Sequence, residues 1–355
     1  DQSVVSGVLS SLSSLSSDRL VEEKAPDLGQ FGLTSPKLEL EVTAKNNAVH
    51  KLLIGDETPT GNGSYAKLDN DPRVFMIASY TKNNIDKSVN DLRDKRLLTI
   101  EPDKVSRVNL GANQQQIEFG RDKDQWQIVK PRPLRADGFQ VDELVRKLGD
   151  AKMDLSSDDQ KKTTSAFASG KPVATAKVTT NSGTQELQVR KNKNDYYAKS
   201  SVVAGIYKVG SDVGQALDKK LDDFRNKKLF DFGYSDPEKI EVYNDVKSYF
   251  LTKSGDDWWS GDGKKLDLSS AEAVISDIRD LQATKFVDSG SGSSTFDISV
   301  ISDKGKRSEK VQISKSGDMY IAKRANEPAL YALDKKAVED LQKALDALKP
   351  ATASK

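Results

Sequence analysis

Apolar and polar positions in this chain follow two periods that take turns. From Leu38 to Val42 apolar residues alternate with Glu39 and Glu41, the two-residue period of a strand with one dry and one wet face. The same reasoning predicts strands over Leu38–Ala44, Val49–Gly55, Ser64–Asp69 and Arg73–Ser79. Before them, Val4, Val5, Val8, Leu9, Leu12 and Leu15 stand at helical spacing behind Asp1, a residue suited to cap a helix. After them, Thr81 is placed to cap a helix striped by Ile85, Val89 and Leu92.

The order then repeats. Strands are expected at Val105–Leu110, Gln115–Arg121 and Gln125–Lys130, followed by a helix that Asp137 caps and that buries Val141, Leu144, Val145 and Leu148. A polar loop is expected over Ser156–Gly170, then strands at Ala174–Thr180, Gln185–Lys191, Asp195–Ser200 and Gly205–Gly210. The closing helix of this round would carry Leu217, Leu221 and Phe224 on one stripe. A third round predicts strands at Lys239–Asp245, Lys247–Ser254 and Asp256–Ser260, and a helix with Val274, Ile275, Ile278 and Leu281. It ends with strands at Thr295–Ser302, Glu309–Ser316, Asp318–Arg324 and Ala329–Asp334, and a helix over Lys335–Leu348.

Landmark spacing makes this an internal repeat. Tyr65 and Tyr197, Arg93 and Arg225, and Trp126 and Trp258 are each 132 positions apart, while Asp137 and Asp267 are 130 apart. The expected fold class is therefore α+β: three related modules of antiparallel β-meanders, each packed with two helices. The modules are expected at residues 1–104, 105–238 and 239–350, with a disordered tail at 351–355. The second and third open with three strands ending in Trp just ahead of the capping Asp, whereas the first begins at its capping Asp1. Its N-terminal strands are thus expected to lie upstream, in a longer native chain.

Composition narrows the function classes. The 355 residues are 36% hydrophobic and 31% charged, polar but able to fold. With 55 basic and 54 acidic side chains there is no net field to steer nucleic acid. Cysteine is absent and His50 is the one histidine, which removes disulfides, thiolate chemistry and Cys-ligated or multi-His zinc. Such a composition suits an oxidising compartment.

Candidate chemistry is sparse. The loop Gly55–Gly63 is glycine-rich but lacks the Lys-Ser/Thr pair of a phosphate cradle and leads into a strand, so a hairpin loop is expected. Asp69, Asp71, Asp256, Asp257 and Asp262 lack calcium-loop spacing and read as turn residues. Trp258 and Trp259 are adjacent on a strand and point to opposite faces. Trp258, equivalent to Trp126, is expected in the core; Trp259 either stacks on a sugar or partner, or covers a module boundary. Arg93, Lys95 and Arg96 recur as Arg225, Lys227 and Lys228, either to contact an anionic partner or to complement a helix C-terminus. No catalytic, cofactor or metal motif is present, and no G-x-S-x-G elbow stands among the serines of residues 10–17.

The Asp-capped helix followed by FGLTSP (Phe31–Pro36), the tract KLLIGDETPTGNGSYAK (Lys51–Lys67), RDKRLL (Arg93–Leu98) and the stretch from Trp126 to Asp137 resemble the bacterial domain-of-unknown-function family 4340 over essentially the whole chain. The resemblance implies an N-terminal membrane anchor ahead of the repeats and a gene context beside gliding-motility-type ABC transporter subunits. It implies an extracytoplasmic, membrane-tethered accessory protein with no cofactor. The expected function is non-enzymatic binding or scaffolding of a protein partner, transporter subunits in particular. A glycan or envelope-polymer binding module using Trp259 and the basic clusters is an alternative, as is a carboxylate-based hydrolase of such a polymer.

Overall fold

A computed structural model describes residues 1–156, 159–233, 237–290 and 292–352. The tail expected at 351–355 lies outside them from residue 353 onward. Two compact units are present. One comprises residues 1–96 with the described part of 154–158, and the other the remaining residues from 97 onward.

The first unit runs α1 (Gln2–Ser13), β1 (Arg19–Glu22), β2 (Leu38–Thr43), β3 (Val49–Glu57), β4 (Gly63–Leu68), β5 (Val74–Ala78), α2 (Ser79–Ile85) and α3 (Val89–Leu92). Asp1 caps α1 by accepting from the backbone of Ser3 and Val4. The strands form an antiparallel sheet in the order β1-β5-β4-β3-β2. The alternation sends Leu52, Ile54, Ala66 and Ile77 to one face, where Leu15, Leu38 and Leu40 join them. Tyr65, Leu53 and Val74 go to the other, under Phe31 and Leu33. The FGL turn lies directly on strand backbone: a Cβ at Gly55 would come 2.1 Å from the Phe31 carbonyl oxygen, so only glycine fits there.

Two expectations fail here. Thr81 does not cap a helix; α2 starts at Ser79 and Thr81 sits inside it. Nor do Ile85, Val89 and Leu92 share a stripe. The helix stops after Ile85, and Ser88 starts a new turn through a reciprocal capping pair with Asp91, leaving Val89 81% exposed. β1 had no sequence signal and forms by pairing with β5.

The second unit holds two eight-stranded antiparallel sheets. The first contains β6 (Val105–Ala112), β7 (Gln115–Asp122), β8 (Gln125–Lys130), β9 (Leu134–Arg135), β10 (Lys171–Thr180), β11 (Gly183–Asn192), β12 (Asp195–Ser200) and β13 (Ile206–Val209). Helices α4 (Gly138–Gly149), α5 (Gln160–Ser169) and α6 (Ser211–Leu217) accompany it. The second contains β14 (Lys239–Asn244), β15 (Ser248–Ser254), β16 (Asp257–Ser260), β17 (Ala283–Val287), β18 (Ser293–Ser302), β19 (Arg307–Ser316), β20 (Met319–Arg324) and β21 (Leu330–Leu333), with α7 (Leu268–Asp280) and α8 (Lys335–Asp346). Each sheet joins two meanders through one antiparallel pair, β6 with β10 (Leu110 opposite Ala176) and β14 with β18 (Val242 opposite Ile298), and the second adds β17 at its edge, paired with β21.

Asp137 and Asp267 cap α4 and α7 as expected, and the four apolar residues predicted for α4 are all buried. The Ser156–Gly170 loop is in large part the helix α5, capped by Asp159 and anchored by buried Thr163 and Phe167. Low propensity had hidden it. Leu217, Leu221 and Phe224 do not share one helix: α6 ends at Leu217 and a 3-10 turn at Leu221–Asp223 delivers Phe224 to the core, fully buried.

Candidate functional site

The segment after α6 connects through its backbone rather than its charges, a role its recurring cations did not indicate. Arg225 bridges to Ala136, the Asp137 N–H donates to the Phe224 carbonyl at 2.8 Å, and the Asn226 N–H donates to the Arg135 carbonyl at 3.0 Å. A few residues on, the Ala283 N–H donates to the Lys227 carbonyl at 2.8 Å and the Leu229 N–H to the Leu281 carbonyl at 3.1 Å. The segment thereby ties the two large sheets together. Its upstream copy shows the same contact, with the Leu97 N–H donating to the Ala151 carbonyl at 2.8 Å. Leu97 and Leu229 have no exposed surface.

Beside this tie lies a cleft of about 770 Å3 walled by both sheets. Arg135, at the end of β9, donates from Nη2 to the Lys228 carbonyl at 2.8 Å and to Asp231 Oδ1 at 3.0 Å, and its Nη1 is 3.5 Å from Glu327 Oε1. Arg324 on β20 pairs through Nε with Glu327 at 2.8 Å and through Nη2 with Glu309 at 3.0 Å, while Nη1 donates to the Leu229 carbonyl. Glu309 on β19 also accepts from the Asp231 N–H at 3.1 Å, and Arg307 donates to the Asp231 carbonyl at 2.6 Å. Tyr331 donates its hydroxyl to Glu327; burial first, then that carboxylate, push the phenol far above its ordinary value and keep it protonated.

Two guanidinium groups thus meet three carboxylates, with Glu309 and Arg324 only 6% and 14% exposed, and a third, that of Arg307, holds the Asp231 carbonyl. Buried charges survive in such a place when partners satisfy them, as those of Arg324 and Glu309 are, while the buried Nη1 of Arg135 has the ion pair with Glu327 and no hydrogen bond. Arrayed in this way, the carboxylates act as hydrogen-bond acceptors. At the rim, Gly138 lines the cleft and the next residue of α4, Phe139, is 73% exposed. None of these residues carried a sequence signal, because they come from segments nearly 200 positions apart.

Of the residues singled out by sequence, Lys228 reaches this cleft through its carbonyl and Trp126 lines its wall; the rest are not gathered there. Arg225 is 7% exposed, its guanidinium 3.4 Å from the centre of the Phe286 ring and 3.0 Å from Asp222, so it is not displayed for a partner. Lys227 and Lys228 are exposed. In the first unit Arg93 is exposed and Lys95 half-buried. Arg96 grips Asp94 at 2.6 Å, and that hydrogen-bonded pairing pulls the Asp94 carboxyl down to about 2. Trp259 sits half-buried on β16, opposite Thr252 and bridged to Lys265, with its indole Nε1 buried. It is not a freely presented ring. Moreover, β16 and the β17 strand carrying Phe286 are opposite edges of one sheet, so Trp259 and Arg225 form no common groove. Trp126 and Trp258 are each 5% exposed, and Trp126 donates its indole N–H to Asp142 at 2.7 Å.

His50 is exposed on β3, and among the described residues no group of three or more His, Asp or Glu side chains is arranged to hold a metal ion. No described helix is long and apolar enough to cross a membrane. The model of one family, described as a domain of unknown function (DUF4340), matches residues 1–127 and again 126–299. No curated protein and no solved structure matches the chain.

Proposed function

The chain belongs to the DUF4340 family, and on that premise we propose that it is a non-enzymatic binding and scaffold protein acting outside the cytoplasm, as an accessory component of an ABC-type transport system. The observation that carries this reading is the cleft. Its arginines and carboxylates are spent on holding two eight-stranded sheets in one body, which is the work of a platform. A platform binds through what it displays, and Phe139 is a large aromatic residue left bare beside a rim of hydrogen-bonding groups. Binding hot spots favour that combination of an apolar anchor with arginine nearby. The absence of cysteine agrees with an extracytoplasmic setting, and the family resemblance supplies the partner class.

The test is affinity capture from native membranes with the full-length protein. Transporter subunits should co-purify, and Phe139→Ala should reduce their recovery by about tenfold or more while leaving the melting temperature unchanged. Capture that yields no protein partner, or that Phe139→Ala does not weaken, removes the reading and moves the search to glycans.

A further inference from the structure

The sheet built from β6 to β13 has a notch at one end. Asn113 and Gln114 both take positive φ, 50° and 60°, the two-residue turn that reverses a hairpin at once. β6 therefore stops at Ala112, opposite Ala174 of β10. β10 begins earlier, at Lys171, so the backbone of Lys171–Val173 has β11 on one side and, among the described residues, no strand on the other. The space left there is a cavity of about 1040 Å3, lined among others by Asn113, Gln114, Lys171, Val173, Lys191 and Lys193.

Its charge is one-sided. Lys171 stands directly opposite Lys191, and like charges so placed destabilise a sheet unless an anion lies beside them. Lys193 follows two positions on; all three lysines are exposed, and among the described residues none of them forms an ion pair. Asp218 is the one acidic residue in the lining. The other large sheet shows that the fold does not ask for these lysines. There β14 stops at Asn244 opposite Phe296, β18 begins at Ser293, and Ser293 pairs with Lys315 as Lys171 pairs with Lys191. The place of Lys193 is taken by Gly317, and both hold left-handed backbone, with φ of 54° and 61°, which glycine adopts more readily than lysine.

We propose that this notch is a docking site for an acidic segment of a partner protein, bound in extended form alongside Lys171–Val173. The backbone selects a peptide: a strand edge without a neighbour is matched by another strand, which here takes the room that β6 leaves past Ala112. The charge selects its side chains. Aspartate or glutamate at alternate positions of the incoming strand falls on one face, where it meets Lys171 and Lys191 and relieves their repulsion. This inference goes beyond the transport reading and makes no use of Phe139, so either can fail without the other.

Fluorescence anisotropy with the whole chain and a labelled peptide of alternating glutamate and valine tests it. The peptide is expected to bind at low salt and to bind less as salt is added. Lys171→Glu, Lys191→Glu and Lys193→Glu together should lower its affinity about tenfold or more. The same reversal of Lys304, Lys306 and Lys310, exposed on the other large sheet, changes the net charge equally and should leave the affinity unaltered. A peptide of equal charge with proline in place of valine, unable to pair as a strand, should bind about tenfold more weakly or worse. Failure of the first peptide to bind overturns the proposal, and so do equal losses from the two triple reversals. Equal affinity for the proline peptide, or tighter binding of a polyuronate of equal charge, overturns it as well, since the occupant would then be held by charge alone or be a polysaccharide.

Discussion

Arg93 and Arg225 occupy equivalent places in the repeat, but Arg93 faces solvent and Arg225 lies against Phe286 with only 7% of its surface exposed. A guanidinium over an aromatic ring in a desolvated setting contributes strongly, whereas an exposed ion pair contributes little. Arg225→Ala is therefore expected to lower unfolding stability by about 2 kcal/mol. Arg96→Ala, which breaks an exposed pair with Asp94, should change it by less than about 1 kcal/mol. Urea denaturation of the two variants decides the matter. The cluster spacing was legible in the sequence; which members are buried was not, since Phe286 lies 61 positions beyond Arg225. Trp258 followed from its equivalence to Trp126, while the half-burial of Trp259 depends on Lys265 folding back beside β16.

Capped helices and alternating strands were the most readable elements, because their signals are local. The Asp137 and Asp267 caps and the α4 stripe appear where the pattern puts them. What failed were helix extents. Continuing apolar spacing through Val89, or from Leu217 to Phe224, ignored the breaks that Ser88 and the turn at Leu221–Asp223 impose. Helix pairing also escaped a linear reading. On α7, Asp277 faces Asp340 of α8, its neighbour Asp280 and Lys336; burial first, then the two aspartates, raise its carboxyl above the ordinary 3.8. A raised folded-state value means the fold prefers this group protonated, so the stability it contributes is fully present below 3.8 and is lost as pH rises through the shifted value. Asp277→Asn should raise the melting temperature at pH 7 by about 1–3 °C, with the gain vanishing near pH 3. Thermal melts at the two pH values check both the sign and the window.

At the scale of the whole molecule, the α+β class and the repeat were legible, but the lock between the two large sheets was not. Its six charged side chains come from four separated segments, and no spacing rule connects them. Removing one charge from a buried network leaves its partner uncompensated. Glu309→Gln is expected to cost about 3 kcal/mol, and scanning calorimetry should resolve the single transition of the second unit into two as the sheets uncouple. A single transition with an unchanged midpoint would show that the backbone tie alone holds them.

The strand pairs β6 with β10 and β14 with β18 also carry a kinetic meaning. Most other pairs join neighbours in sequence, but Leu110 must find Ala176, Val242 must find Ile298, and in the second sheet Ala283 of β17 must find Leu333 of β21. Short-range hairpins form first because little chain has to be ordered to close them. The first sheet then completes itself when two ready-made halves zip along one long-range seam, with the capped helix travelling in the loop between them, and the second does so with the added docking of β17 on β21. Folding of this protein is, in that sense, an assembly reaction carried out inside a single polypeptide.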